Sequence, residues 1–292
     1  MVSFFALLEN MRPKQWAKNM FIFAAIVFDG QLFNPSALLQ VCIGFVLLSL
    51  SASTIYLIND VVDVERDRLH PKKRFRPIAS GRLPVSIAIT AAIILPSVAL
   101  VGAWVLQPAF CYTLIAYLAL HLAYSFRLKS VAILDIFAIS GGFILRVVAG
   151  VVVISVSNFS PYLYVCMGLL SLFLAIGKRR QEFIQLGDDA TKIRASFKDY
   201  TLPLLDDLLR FIVTATALAY TFYAIESQTL LVPHQTMLLT VPFVYYALFR
   251  YMYLIHVAGL GGDPTDVLYV DRPLQVCLLL WGSAILVLLY LF

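Results

Sequence analysis

Nine apolar runs of near-spanning length, separated by short polar or turn-rich breaks, organise this chain. They fall at about 18–34, 36–58, 84–106, 108–125, 131–156, 161–177, 206–227, 236–256 and 273–292, each close to the ~20 residues that carry a helix across a bilayer's hydrocarbon. Water is absent from that layer, so backbone groups must satisfy one another within the segment. The runs are therefore expected to be helices, being too long and too evenly apolar for barrel strands. The first is short.

Composition agrees with the pattern and closes off other classes. Hydrophobic residues are 61% of the chain and charged residues 13%, with a mean hydropathy of +0.87. Those values exclude a soluble globular domain. No low-complexity stretch, appended soluble region or cleavable leader is apparent, so residues 1–292 read as one integral membrane domain. A nucleic-acid-binding role has no soluble domain to rest on. Cys42, Cys111, Cys166 and Cys277 all lie within predicted spans without ligand spacing; they read as small core residues, with no disulfide or zinc site.

Charge alternates between the breaks. Arg12, Lys14 and Lys18 precede the first run, seven Lys/Arg lie between the second and third, and two between the fourth and fifth. Six follow between the sixth and seventh, and Arg272 precedes the ninth. The loops near 35, 107, 158 and 230 carry none. Cytoplasmic loops concentrate Lys and Arg. The expected protein is thus a multi-pass protein of the inner (plasma) membrane, N-terminus cytoplasmic and C-terminus external. Its net charge of +5 sits on one side, suited to phosphate and anionic lipid.

The most informative polar segment follows the second run: Asn59-Asp60-Val-Val-Asp63-Val-Glu-Arg-Asp67. On a continuous helix, steps of three and four residues return to one face, so Asp60, Asp63 and Asp67 point one way and Glu65 another. Three carboxylates in a stripe repel unless a cation sits among them. Hard oxygen ligands at a membrane protein's mouth suit Mg²⁺ held together with a substrate's phosphates, with Mn²⁺ as a substitute. Lys72, Lys73, Arg74 and Arg76 follow and pair with phosphate, although such a cluster also serves as an ordinary topology signal. A second cluster contains Tyr124, Arg127, Lys129, Asp135 and Arg146. Asp135 and Arg146 are about three helical turns apart on roughly one face. Charges inside an apolar run must face protein, water or ligand. Two readings stay open: an internal ion pair, or Asp135 in a metal shell with Arg146 on phosphate.

These residues resemble the UbiA superfamily of intramembrane prenyltransferases. The resemblance rests on Asn59-Asp60-x-x-Asp63-x-x-x-Asp67, on Arg76-Pro77-x-x-Ser80-Gly81, and on Tyr124-x-x-x-Leu128-Lys129 before an aspartate. It spans essentially the whole chain. It implies an all-α membrane protein of nine transmembrane helices around a central cavity, whose cytoplasmic mouth holds Mg²⁺ and a diphosphate and whose side admits a polyprenyl chain. Members acting on aromatic acceptors usually carry a second DxxxD motif; here Ile139 stands four residues after Asp135. Three further segments are similar to the decaprenyl-phosphate phosphoribosyltransferase branch. They are Arg12-Pro13-Lys14-Gln15-Trp16-Ala17-Lys18-Asn19, Lys73 to Ala79, and Gly259 to Asp266 with Asp271-Arg272-x-x-Gln275. The first could equally be an interfacial anchor, and Gly259 to Pro264 a simple turn.

The resemblance implies a Mg²⁺-dependent glycosyltransferase that moves a 5-phosphoribosyl group from phosphoribosyl diphosphate to a polyprenyl phosphate. Asp60, Asp63 and Asp67 would hold metal and diphosphate with help from Asn59, and Lys73 and Arg76 would neutralise the leaving group. Lys18, Tyr124, Lys129, Asp135, Arg146, Lys178 and Arg179 would complete the substrate site. Lys178-Arg179-Arg180 is also the expected positive flank of the sixth run. A homo-oligomer is compatible with the sequence. The alternatives are a prenyltransferase acting on an aromatic or polar-lipid acceptor and, outside the family, a transporter. Charge concentrated on one face, the absence of an internal repeat and nearly uncharged external loops count against transport.

Overall fold

The computed structural model describes residues 2–69, 73–156, 160–187, 195–226, 236–260, 267 and 270–291. Among them, eight helices are long and apolar enough to cross a membrane. The chain opens with α1 (Val2–Asn10), a 3-10 segment (Pro13–Phe23) and α2 (Ala24–Phe28), then α3 (Pro35–Val62), α4 (Val64–Leu69), α5 (Val85–Leu106) and α6 (Pro108–Phe126). There follow α7 (Leu134–Val153), α8 (Pro161–Leu186), α9 (Leu202–Glu226), α10 (Val241–His256) and α11 (Arg272–Tyr290). The all-helical membrane architecture is the one the apolar runs predict. The nine-span count is not reached: the first run, 18–34, divides between the 3-10 segment, the five residues of α2 and a turn.

Helix starts follow local chemistry. Asn34 caps α3, its side-chain oxygen accepting from the Ser36 and Ala37 N–H groups at 3.1 and 3.4 Å, with Pro35 at the first helical position. Asp271 does the same for α11, accepting from the Leu274 N–H at 2.8 Å ahead of Pro273. Pro161 opens α8.

The described residues form two compact units, Met1–Ser125 with Leu145–Ser157, and Phe126–Ile144 with Asn158–Phe292. In the first, α3 packs along α5 and against the 3-10 segment. A Cβ on Gly150 of α7 would lie 2.0 Å from the Ile22 carbonyl oxygen, so only glycine permits that backbone approach. Ile22, Leu48, Leu57, Ile78, Leu83 and Phe110 are fully buried here. In the second unit, α8 packs along α9, and Phe173, Leu205, Leu209, Tyr251 and Ile255 form part of one apolar core. Gly177 brings α8 close to Ile255 and Tyr251 of α10. Exposed positions of the long helices include large apolar side chains, as at Val101 and Val105 of α5.

Candidate active site

Two features of the polypeptide build the acidic cluster of the first unit. The helix carrying Asn59 and Asp60 stops at Asp63, whose backbone leaves helical geometry at φ −92°, ψ 8°. The ladder continues on either side, with the Asp63 N–H on the Asn59 carbonyl and the Asp67 N–H on the Asp63 carbonyl, both at 2.9 Å. A new helix, α4, therefore starts at once and returns Asp67 toward Asp60. The Arg-Pro-x-x-Ser-Gly stretch is a compact turn: Ser80 N–H bonds the Arg76 carbonyl and Leu83 N–H the Pro77 carbonyl, with Gly81 at φ +78°. Its anchors, Ile78 and Leu83, are buried with Leu57 and Ala6, and that burial aims Arg76.

Asp60 and Asp67 are both buried, at 3% exposure. One Arg76 guanidinium nitrogen lies 3.0 Å from Asp60 Oδ1 and 2.7 Å from Asp67 Oδ2. Arg12 reaches the same Asp60 oxygen at 2.7 Å. It does so from a left-handed backbone conformation (φ 55°, ψ 62°), with its guanidinium 4.8 Å from the Tyr56 ring centroid. Two carboxylates and two guanidiniums are thus in balance. Asp63 is set apart, one-third exposed and 3.9 Å from Arg66. Glu65 points into solvent and pairs with Arg68 at 2.7 Å, as the one-face pattern predicts. Lys73 is exposed; Lys72 lies outside the described residues. Beside the cluster, Arg82 grips Glu9 through two bonds of 2.7 and 2.9 Å, and that contact lowers the Glu9 carboxyl below its usual range.

Deeper in this unit, Arg146 is buried. Its Nε donates to Asn19 Oδ1 and a terminal nitrogen to the Tyr117 hydroxyl, both at 2.9 Å, while Asn19 donates to Ser49 Oγ at 3.0 Å. The His121 ring lies against that of Tyr117, tilted by 48° with centroids 4.2 Å apart. Lys18, in the 3-10 segment, and Tyr124, near the end of α6, are half-buried.

In the second unit, Asp135 is fully buried. Its Oδ2 accepts from Arg179 Nε at 2.7 Å and its Oδ1 from the Tyr200 hydroxyl at 2.7 Å. Arg179 also holds Glu182 at 2.6 Å. The structure therefore pairs Asp135 with Arg179 rather than with Arg146. Lys178 is half-buried, and Lys129 is exposed on a short 3-10 turn, Leu128–Ser130. Of the Gly259–Asp266 segment, Asp263, Pro264 and Asp266 lie outside the described residues. Asp271 receives two bonds from Arg250, at 3.2 and 2.7 Å, which hold its carboxyl below the ordinary value. Cys111, Cys166 and Cys277 are buried free thiols, and Cys42 is free and exposed.

Sequence reasoning assigned no individual role to Arg12, Asn19, Tyr117 or Tyr200. A signal existed for three of them: Arg12 and Asn19 bracket a motif dense in polar residues, and Tyr117 lies in an apolar run four residues before a histidine. Tyr200 carried none.

No three acidic, histidine or cysteine side chains among the described residues converge as a closed metal cage. The donor set nevertheless suits Mg²⁺, which takes one or two carboxylates and completes its shell with substrate phosphate and water. Asp60 and Asp67 are such a pair, and Arg12 and Arg76 are the cations that phosphate oxygens would engage.

Comparison with known proteins places this geometry among relatives. Residues 19–260 match the UbiA prenyltransferase family. The chain is 35% identical to the decaprenyl-phosphate phosphoribosyltransferase of Mycobacterium tuberculosis, over 96% of this chain and 92% of that one. It is 36% identical to the protein of the same name from Mycolicibacterium smegmatis, over 96% and 91%. Among solved structures, a UbiA homolog from Archaeoglobus fulgidus bound to DMAPP and Mg²⁺ superposes with a TM-score of 0.72 at 16% identity. It covers 96% of this chain and 98% of that one.

Proposed function

The chain belongs to the UbiA prenyltransferase family, and from that premise we propose that it transfers a 5-phosphoribosyl group from phosphoribosyl diphosphate to a polyprenyl phosphate, releasing diphosphate. That it is an integral, multi-pass membrane transferase follows from the family and the eight apolar helices. A transporter is thereby set aside. The observation that carries the donor and acceptor is the 35% identity to a decaprenyl-phosphate phosphoribosyltransferase along nearly the whole chain.

The chemistry suits the cluster. Departure of diphosphate leaves an oxocarbenium-like ribosyl centre, and a lipid phosphate is already an anionic nucleophile. The site then needs positioning and charge stabilisation more than a general base. Bound Mg²⁺ supplies neutralisation of the diphosphate. Asp60 and Asp67 would hold it, with Asn59 and the more exposed Asp63 alongside. Arg12, Arg76 and Lys73 would take the diphosphate oxygens as the guanidiniums leave their carboxylates. Arg146, Tyr124 and Lys18 would line the donor site, and Lys129 and Lys178 would meet its 5-phosphate. Asp135 and Arg179 leave the ligand set, because each already holds the other in full burial.

We further propose a plasma-membrane location with the acidic cluster and N-terminus cytoplasmic. The Arg12, Lys14 and Lys18 charges ahead of the first apolar run support a cytoplasmic N-terminus.

The test uses purified protein in detergent with Mg²⁺, a polyprenyl phosphate and radiolabelled phosphoribosyl diphosphate. A labelled lipid and free diphosphate are expected, both abolished by EDTA and restored by Mg²⁺ or Mn²⁺. Consumption of geranyl diphosphate with an aromatic acceptor, while phosphoribosyl diphosphate neither reacts nor competes, would overturn the assignment.

A further inference from the structure

Ile133 occupies a conformation that its side chain disfavours. Its φ is +68°, in the left-handed region where a β-branched residue is a true outlier. Such strain persists only when the surroundings over-determine it, and it gathers at functional sites. Here the surroundings can be named. The Ile133 N–H donates to the Tyr200 hydroxyl at 2.7 Å, and that hydroxyl donates to Asp135 Oδ1 at 2.7 Å. Asp135 is fixed from its other oxygen by Arg179 at 2.7 Å. One hydroxyl therefore ties the strained backbone to a buried ion pair, accepting one bond and donating the other.

The tyrosine is itself immobilised. Phe197 is buried within the 3-10 turn Ala195–Lys198 and Tyr200 is buried just after it, with their rings 6.3 Å apart. Burial, and next the bond to Asp135, raise the phenol above its ordinary 10.0. The hydroxyl thus keeps the proton it donates.

What this arrangement presents is the turn just before Ile133. Ser130 N–H bonds the Arg127 carbonyl and Val131 N–H the Leu128 carbonyl, at 3.1 and 3.2 Å, leaving Lys129 exposed at the turn's head. We propose that Tyr200 is a positioning residue for donor binding: its hydroxyl holds the strained Ile133 turn in the one conformation that presents Lys129 to the donor's 5-phosphate. The inference rests on the phosphoribosyl reading above, in which Lys129 meets that phosphate. It recasts Asp135 as the anchor of the device rather than a metal ligand.

Three full-length variants decide the matter: Tyr200→Phe, Ile133→Gly and the two combined. The first measurement is trypsin cleavage after Arg127 and Lys129 in protein without substrates, which needs no assumption about the donor. The second is KM for phosphoribosyl diphosphate and for polyprenyl phosphate, with kcat. Tyr200→Phe should speed cleavage at the turn and raise donor KM about fivefold, the scale of one neutral hydrogen bond, leaving acceptor KM and kcat unchanged. Glycine accepts positive φ without strain, so the same change should matter less in the Ile133→Gly background. Unchanged cleavage and unchanged donor KM in Tyr200→Phe would overturn the proposal. So would a parallel rise in both KM values with cleavage spread along the chain, which marks general loosening. Were the wild-type protein to ignore phosphoribosyl diphosphate, the functional reading would fail, and the cleavage result would still judge whether Tyr200 holds the turn.

Discussion

Among the described residues, two aspartate–arginine clusters share nearly the same distances and have opposite access to water. In the first unit, Arg12 and Arg76 stand 2.7 to 3.0 Å from Asp60 and Asp67, and their side chains remain 31% and 29% exposed. In the second, Arg179 stands 2.7 Å from Asp135, and the two are 2% and 0% exposed. A guanidinium that still touches water can leave its carboxylate for a phosphate at small cost. One sealed in protein cannot, because separation would strand two charges in a medium of low polarisability. Bond length does not separate the cluster proposed to bind from the sealed one; access does.

That contrast predicts opposite phenotypes. Asp60→Asn or Asp67→Asn, which leave behind guanidiniums that are 31% and 29% exposed, should lower kcat/KM on the order of a hundredfold or more, the usual loss of an arranged charge stabiliser. The melting temperature of the substrate-free protein should barely move. Glu65→Gln, a few residues away but facing solvent, should be near neutral. Equal losses at Glu65 and Asp60 would break the comparison from the functional side.

Arg179→Ala should do the reverse. Leaving Asp135 buried without its cation costs about 3–5 kcal/mol, to be read as a lowered thermal midpoint and a reduced yield of folded protein in detergent. A fully stable Arg179→Ala protein with a lost metal requirement would place Asp135 in the metal site and erase the distinction drawn here.

A smaller effect separates Lys129 from both clusters. Lys129→Ala should raise KM for phosphoribosyl diphosphate by about tenfold, one charge-assisted bond's worth, and leave the acceptor's KM alone. An equal rise for a ribosyl diphosphate lacking the 5-phosphate would remove Lys129 from that contact.

The smallest effect belongs to Asp271, in another acid–arginine contact at the start of α11. Its carboxyl is held below the ordinary 3.8 chiefly by Arg250. A depressed folded value means the group contributes stability above 3.8 that is lost as pH falls through its lowered value. Asp271→Asn should therefore lower stability slightly near neutrality, and its stability-against-pH curve should converge with that of the wild type in acid below 3.8.

Some of this was legible in the residues alone. Long apolar runs can only be helices in hydrocarbon, and Asn34 and the Pro residues mark where several of them start. The grouping of Asp60, Asp63 and Asp67 before a basic turn is legible too, and the diphosphate chemistry read from it is part of the proposal above. Glu65 faces solvent because helical spacing puts it there. The equal status of the three aspartates was not legible, since the spacing rule presumes an unbroken helix and the helix stops at Asp63. The first apolar run also escaped the rule, because hydropathy does not tell 3-10 from α geometry.

Pairing was the part that only tertiary structure could decide. In the sequence, Asp135 and Arg146 fall on roughly one face of a helix, and their partners stay open. In the folded chain Asp135 meets Arg179, 44 residues away, and Arg146 meets Asn19, 127 residues away. Arg12 finds Asp60 across 48 residues. Local sequence fixes what a helix can offer on each face, through periodicity and the cost of exposed backbone. Which faces meet depends on side-chain packing summed along whole helices, as where Gly150 lets α7 close onto the Ile22 carbonyl, and no single segment contains that sum.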